Sequence, residues 1–392
     1  MSAAVSTHFV AEKVKALCVV SDVRYASSET LQDQFELLPL VATGGWDNEA
    51  SRQTRGANRS LDPRANELVF GFHVGDVNAL EFVAAKGDNL LVSASSAGGV
   101  LAYRVAASSS REDAAMPDDE APLSPLAIPQ WENLFADTAA TCLEVSESRT
   151  SVVTASAGGA IAWLALDDVM GVEKIDNKET SGLPINAVKM LGRDSVVATV
   201  GSVPGSQLRI WDLTTSNQFP ITTCAESILL SLETHPTRPE LLVTGADDGR
   251  VSFWDRRRLD APFRTEAHHQ RAVRALKLHA ASPRYLYTGG DDVVVNCWDF
   301  HHGRRPRDPV EYERVSSNPT YSQSLSTTVN GPSVANGFYN GPVGLKVQPL
   351  ASGFQPWNAL AVHAESDTLV AGSDAQSVLI VQQVSKWGGQ QP

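Results

Sequence analysis

Thr244–Asp255, TGADDGRVSFWD, and Thr288–Asp299, TGGDDVVVNCWD, are two copies of one unit, offset by 44 residues and both ending in Trp-Asp. Within each copy the side chains alternate. Val251 and Phe253 fall on one side of an extended strand and Ser252 and Trp254 on the other; Val295 and Cys297 repeat this against Asn296 and Trp298, the period of two that a β-strand imposes. Asp-Asp-Gly and Asp-Asp-Val are the turns that join each strand to the one before it. Outward from this pair the phase continues: Thr199 leads to Trp211-Asp212, Thr154-Ala155-Ser156 to Trp163 and Ser93-Ala94-Ser95 to Tyr103. Thr43-Gly44-Gly45 opens the series and Ala371-Gly372-Ser373 closes it, which makes seven copies. A second signal has the same phase. A small residue opens a short alternating stretch 12 to 14 positions before the Ser, Thr or Ala of six copies: Ala79-Leu80-Glu81-Phe82, Cys142-Leu143-Glu144-Val145, Ala187-Val188-Lys189-Met190, Ser231-Leu232-Glu233-Thr234, Ala275-Leu276-Lys277-Leu278 and Ala359-Leu360-Ala361-Val362.

Units of about four strands at a period of roughly 40–45 residues, ending in Trp-Asp, are the signature of WD40 propeller blades. The expected fold is therefore all-β, a seven-bladed WD40 β-propeller forming one domain over residues 1–392. The N-terminal stretch Val10, Val14, Ala16, Cys18 lies outside the seven copies; it is expected to pair with the last unit and close the ring, removing exposed edges. Irregular insertions are expected near 48–66, 106–130 and 301–345, where the chain turns polar or rich in Ser, Pro, Asn and Gly.

Composition narrows the function. The 392 residues are 42% hydrophobic and 20% charged, enough to bury a large core, and 32 Lys plus Arg against 45 Asp plus Glu leave a net charge of −13. Such a balance argues against direct nucleic-acid binding. The four cysteines, Cys18, Cys142, Cys224 and Cys297, form no CxxC pair, and no apolar run is long enough for membrane insertion; neither a signal peptide nor a span is expected. No P-loop, GxGxxG or HExxH motif occurs, so no catalytic residue, cofactor or metal site is predicted. Two His-His pairs, His268-His269 and His301-His302, are weak metal candidates, because adjacent strand residues point to opposite sides.

WD40 blades, which this repeat resembles, carry a buried hydrogen-bonded tetrad of His, Ser or Thr, Asp and Trp. His268, Thr288, Asp292 and Trp298 have matching spacing, with steps of 20, 4 and 6. His73 and Ser93 repeat the first step, with Ala97 and Tyr103 in the last two places; Thr244, Asp248 and Trp254 retain three members. The recurrence with strand periodicity marks these as structural groups rather than a hydrolase triad. A candidate partner-binding patch is the run Arg250, Arg256, Arg257, Arg258, Arg264, Arg271 and Arg274, concentrated within 25 residues of an acidic chain.

One resemblance is closer than the fold. Leu40 to Glu49, LVATGGWDNE, places Trp-Asp-Asn-Glu in a first turn rather than at a strand end. Together with Phe9-Val10, Thr244-Gly245 through Trp254-Asp255, Ala267-His268 and Gly372-Ser373-Asp374-Ala375, it resembles the nucleoporin 43 family. That resemblance implies a non-enzymatic WD40 subunit of the Y-shaped outer-ring complex of the nuclear pore, monomeric within a large hetero-complex. Its implied partners are other nucleoporins of the Y complex, foremost an α-solenoid protein similar to nucleoporin 85. Its implied place is the nuclear envelope, with kinetochores in mitosis and roles in mRNA and protein transport. The alternative is a substrate receptor of a cullin-4 ubiquitin ligase, since Trp254-Asp255-Arg256-Arg257 fits the WDxR pattern of such receptors.

Overall fold

The computed structural model describes residues 5–10, 13–20, 40–46, 73–85, 88–105, 123–135, 137–167, 170–175, 183–192, 195–202, 207–213, 217–219, 227–300 and 345–389. Apart from one short helix, α1 (Pro129–Glu132), and a 3-10 turn over Val384–Gly389, the regular elements are antiparallel strands. β1 (Val5–Phe9) precedes a pair, β2 (Lys13–Val20) and β3 (Leu40–Trp46). The first four-stranded meander is β4 (Val77–Ala85), β5 (Asp88–Ser95), β6 (Val100–Val105) and β7 (Leu123–Leu126). The second is β8 (Ala140–Val145), β9 (Ser151–Ser156), β10 (Ile161–Ala165) and β11 (Val172–Ile175). The third is β12 (Ile185–Met190), β13 (Val196–Gly201), β14 (Leu208–Asp212) and β15 (Asn217–Phe219). β16 (Leu229–His235), β17 (Arg238–Ala246), β18 (Arg250–Asp255) and β19 (Arg264–Ala267) form the fourth. β20 (Val273–Leu278), β21 (Tyr285–Gly290), β22 (Val294–Phe300) and β23 (Leu345–Ser352) form the fifth. In the sixth, β24 (Trp357–His363), β25 (Thr368–Ser373) and β26 (Ser377–Gln382) are completed by β1.

The fold is thus an all-β propeller, with six four-stranded blades and a two-stranded sheet, β2–β3, among the described residues. Against the expected seven full blades, the first repeat has two described strands. A second correction concerns the N-terminus. The strand that pairs with the last unit is Val5–Phe9, in register Val5↔Val381 to Phe9↔Ser377. Val14, Ala16 and Cys18 instead lie on β2, which pairs with β3. A third is the 106–130 segment, whose end is regular: Leu123–Leu126 is the outer strand of its blade, and α1 begins at Pro129. Residues 48–66 and 301–344 lie outside the described residues.

One local irregularity recurs in β2, β4, β8, β12, β16, β20 and β24. Each first strand bulges two residues in, leaving one residue extra: Lys15, Asn78, Thr141, Asn186, Leu230, Arg274 and Asn358. A bulge frees backbone groups from the ladder, and a buried carbonyl without a donor costs about 1–3 kcal/mol. The preceding sheet supplies the donor. Asn78 Nδ2 donates to Ala140 O (2.6 Å), Thr141 Oγ1 to Ile185 O (2.5 Å), Asn186 Nδ2 to Leu229 O (2.7 Å) and Asn358 Nδ2 to Val14 O (3.1 Å). Where the extra residue is the apolar Leu230, the hydroxyl of the next residue, Ser231, donates to Val273 O (3.0 Å). First strands pack against first strands in chain order, β2 on β4, β4 on β8 and onward to β24, which packs on β2.

Three glycines of the repeat, Gly44, Gly245 and Gly372, sit where this belt is tightest. A Cβ on Gly245 would lie 2.5 Å from Ser231 Oγ and 2.7 Å from Val273 Cγ1; on Gly372 it would lie 2.4 Å from Val14 Cγ1, and on Gly44 2.3 Å from Val77 Cγ1. These are too close for any side chain, so glycine lets the next sheet's bulge residue dock. Between sheets the cores are apolar and drawn from both neighbours: Cys142, Val153, Ala155 and Ile161 pack with Ile185, Val188, Val197 and Trp211. Gly245→Ala is expected to lower stability by about 1–3 kcal/mol through overpacking, read as a lower denaturant midpoint; an unchanged midpoint would mean that the Val273 contact is slack.

Candidate interaction faces and buried polar sites

The tetrad of the fifth blade exists with one member shifted. His269, not His268, is the histidine: its Nε2 lies 2.6 Å from Thr288 Oγ1 and its Nδ1 2.9 Å from Asp292. Trp298 Nε1 donates to Thr288 Oγ1 at 2.9 Å. An Nδ1–H donating to the carboxylate leaves Nε2 as acceptor, so the Thr288 hydroxyl donates to the imidazole while it accepts from the indole. His268 is half-exposed; its ring meets the Trp298 ring edge-on at a centroid distance of 5.0 Å, and its Nε2 lies 3.7 Å from Glu266. The step to Thr288 is therefore 19 residues.

In the fourth blade Trp254 Nε1 donates to Thr244 Oγ1 (2.8 Å), while Asp248 accepts from Ser227 Oγ (2.5 Å) and from Arg250 N (3.0 Å). Thr199 and Trp211, which in the sequence mark a copy of the repeat but not a tetrad, also bond in the third blade, the indole donating to the hydroxyl at 2.7 Å. His73 Nε2 meets Ser93 Oγ at 2.9 Å and its Nδ1 meets Gly75 O at 2.9 Å, with burial pushing the imidazole's pKa below its ordinary value. In the second blade Trp163 falls one position early. Ala162 pairs with Thr154, so Trp163 points to the other side of the sheet and buried Leu164 takes the indole's place. The Thr154 hydroxyl donates to Cys142 O instead (2.8 Å).

The arginines do not form one patch. Strand direction puts Arg250, Arg271 and Arg274 at the face where first strands begin, and Arg256, Arg257 and Arg258 at the opposite face. Arg264 is buried, its guanidinium over Phe253 (5.9 Å) and Phe300 (5.8 Å) and its Nε 2.9 Å from Glu266. Arg257 grips Asp255 with Nε (2.8 Å) and Nη2 (2.5 Å), which holds that carboxyl below the usual carboxylate range. Arg274 is similarly engaged by Asp291, at 2.9 and 2.7 Å. Arg256 donates to Leu191 O (3.4 Å) and Arg258 Nε lies 3.5 Å from Asp260, leaving Arg258 and Arg271 among the most exposed. Loops at the first-strand face also expose Val74, Ile228 and, almost completely, Phe354.

A charged ring lines the centre. The alternating stretches place one residue of each first strand in the same register: Cys18, Glu81, Glu144, Lys189, Glu233, Lys277 and Ala361. Lys189 Nζ lies 2.8 Å from Glu144 and 3.5 Å from Glu233, and Lys277 Nζ lies 3.6 Å from Glu233. Lys189 faces two carboxylates; though burial opposes its charge, they hold it as an ammonium, its pKa above the ordinary value. Glu233 has both lysines and stays below its ordinary value despite burial. Burial pushes Glu144 up to about 7, with Lys189 opposing and Glu81 adding to the rise. Burial likewise pushes up the thiol of Cys18. The signal was present in the sequence, as a charged residue two places after the small one in five stretches.

No protein-family model matches this chain. Nucleoporin Nup43 of Mus musculus is 28% identical over 239 residues, 56% of this chain and 58% of that protein. Nucleoporin Nup43 of Homo sapiens is 28% identical over 243 residues, with the same shares. The chain thus matches less than two thirds of the length of these curated relatives, and it is Nup43-like over that span.

His269→Ala should cost about 1–3 kcal/mol, because Thr288 and Asp292 lose a buried partner, whereas His268→Ala should cost less than about 1 kcal/mol. Urea unfolding of the two variants decides this, and equal losses would contradict the assignment.

Proposed function

We propose that this chain is a non-enzymatic scaffold subunit of the nuclear pore outer ring, the Y complex, built on a closed seven-bladed WD40 propeller. The similarity to nucleoporin Nup43 carries this reading. Support for the seventh blade is the equivalence of β2–β3 to the other sheets: β2 has the same bulge, packs between β24 and β4, accepts from Asn358 at Val14 O, and meets Gly372 at Val14. Support for ring closure is β1, an N-terminal strand that completes the C-terminal blade, so that the two ends of the chain hold one sheet together. The buried His, Thr, Asp and Trp groups recur with strand register and serve blade stability.

The partner is another nucleoporin of the Y complex, an α-solenoid protein similar to nucleoporin 85, and the place is the nuclear envelope. Arg257, already paired with Asp255 at an exposed turn, has neighbours that share any electrostatic role. A tagged full-length chain should therefore concentrate at the nuclear rim and co-purify outer-ring nucleoporins, with Arg257→Ala unchanged in both. Stoichiometric recovery of the cullin-4 ligase adaptor, abolished by Arg257→Ala in a folded protein, would replace this function with that of a ligase substrate receptor. There a desolvated Arg typically contributes about 2 kcal/mol, roughly thirtyfold in affinity.

A further inference from the structure

We propose that the first-strand face over the sixth blade and the β2–β3 sheet is a docking surface for an acidic amphipathic segment of a partner protein. Lys15, Arg271 and Arg274 receive its carboxylates, and Phe354 and Val74 receive its apolar side. Only the identity of that partner rests on the scaffold reading above.

The first ground is a break in the belt of blade-to-blade bonds. Five of the seven bulge carbonyls accept from the preceding sheet, and two, Trp357 O and Val77 O, have no such donor among the described residues. The bulge residues placed to supply it are Arg274 and Lys15. Both turn elsewhere: Arg274 is bonded to Asp291 and remains 46% exposed, and the Lys15 ammonium stands over the Trp46 ring at 5.9 Å, with that of Lys13 at 4.8 Å. Each of these two junctions also carries an exposed apolar residue on the loop that enters the next sheet. Phe354, before β24, is 96% exposed, and Val74, before β4, is 54% exposed. The same pairing of a cation with an apolar side chain thus occurs twice, at the two ends of a sector in which β24 packs on β2.

The second ground is charge. A chain with a net charge of −13 repels an acidic segment over most of its surface. In this sector the carboxylates are already committed: Asp374 Oδ1 accepts from Trp46 Nε1 and from Asn358 Nδ2, both at 2.7 Å, and Asp291 holds Arg274. Asp76 and Asp374 act on Lys15 only from beyond ion-pair distance. Among the described residues neither Lys15 nor the exposed Arg271 makes an ion pair. The Phe354 loop is tied at both ends, Gly353 N donating to Val293 O (2.7 Å) and Asp374 N to Pro356 O (3.1 Å). A phenyl ring held in water by an ordered loop loses little further freedom when a partner covers it. The opposite face has no counterpart among the described residues: the other exposed large hydrophobics are Ile228, also at the first-strand face, and Val5, Phe9, Val172 and Phe263, on or beside outer strands.

The test is fluorescence anisotropy of a fluorescein-labelled peptide of glutamate and leucine, patterned as an amphipathic helix and titrated with the full chain, together with recovery of outer-ring nucleoporins by the tagged chain. The peptide should bind, and more weakly as salt is raised. Phe354→Ser, Arg271→Glu and Lys15→Gln should each weaken it about fivefold or more. Arg258→Glu, on the opposite face and 82% exposed, should leave it unchanged. Phe354 and Arg271 are exposed, so those two variants decide even where Lys15→Gln does not fold. Absence of binding, indifference to salt, equal loss in Arg258→Glu, or no loss in Phe354→Ser and Arg271→Glu overturns the surface. So does undiminished recovery of nucleoporins by the chain carrying both Phe354→Ser and Arg271→Glu. Peptide binding with the expected losses, but no nucleoporin recovered by wild type, leaves the surface standing and removes the scaffold reading.

Discussion

The contact on which the rest of this structure depends is the hydrogen bond from one blade to the bulge carbonyl of the next. A bulge in each first strand frees a backbone oxygen in a place where water would otherwise be needed. Asn78, Thr141, Asn186, Ser231 and Asn358 meet that oxygen across the gap between sheets. Sheet-to-sheet packing alone is non-directional and tolerates sliding. A side chain that must reach one named carbonyl fixes both the spacing and the height of neighbouring blades. Glycines at positions 44, 245 and 372 are the complement of that constraint, because the approach leaves no room for a Cβ.

Within this frame the blades are stiffened in different ways. The fifth blade has a full His269–Thr288–Asp292–Trp298 network, while the third and fourth have the Trp–Thr bond. Where these are missing, apolar mass compensates: Trp131 of α1 is completely buried between the first two blades, its indole donating to Met170 O at 3.1 Å. The central ring is a different kind of element. It links β8, β12, β16 and β20 by ion pairs.

Much of the fold was legible in the sequence because propeller strands are short, regular and phased. The small residue opening each alternating stretch is the residue just past the bulge, which explains its constancy. What failed did so for local reasons. His268 and His269 are adjacent, and counting residues cannot say which imidazole turns inward from a loop. The arginines from 250 to 274 are close in sequence, but a meander sends successive turns to opposite faces. Trp163 shows the cost of a slip by one: it reverses the side of the sheet on which an indole lies. The channel ring is not legible in the sequence because each stretch, taken alone, is an ordinary strand with one charge on it. Only the assembled first strands reveal that the charges share a centre.

The scaffold role proposed from the similarity to Nup43 asks of such a ring that it remain one cooperative body. Native-state hydrogen exchange resolved by residue tests this most directly. If the blade-to-blade bonds make a single closed unit, the amides of β2 and β3 should exchange with the same free energy of opening as those of β16 and β17, through global unfolding. Exchange in β2–β3 or β1–β26 that is orders of magnitude faster than in β16–β17 would show that the chain ends do not close the ring, and would contradict the account.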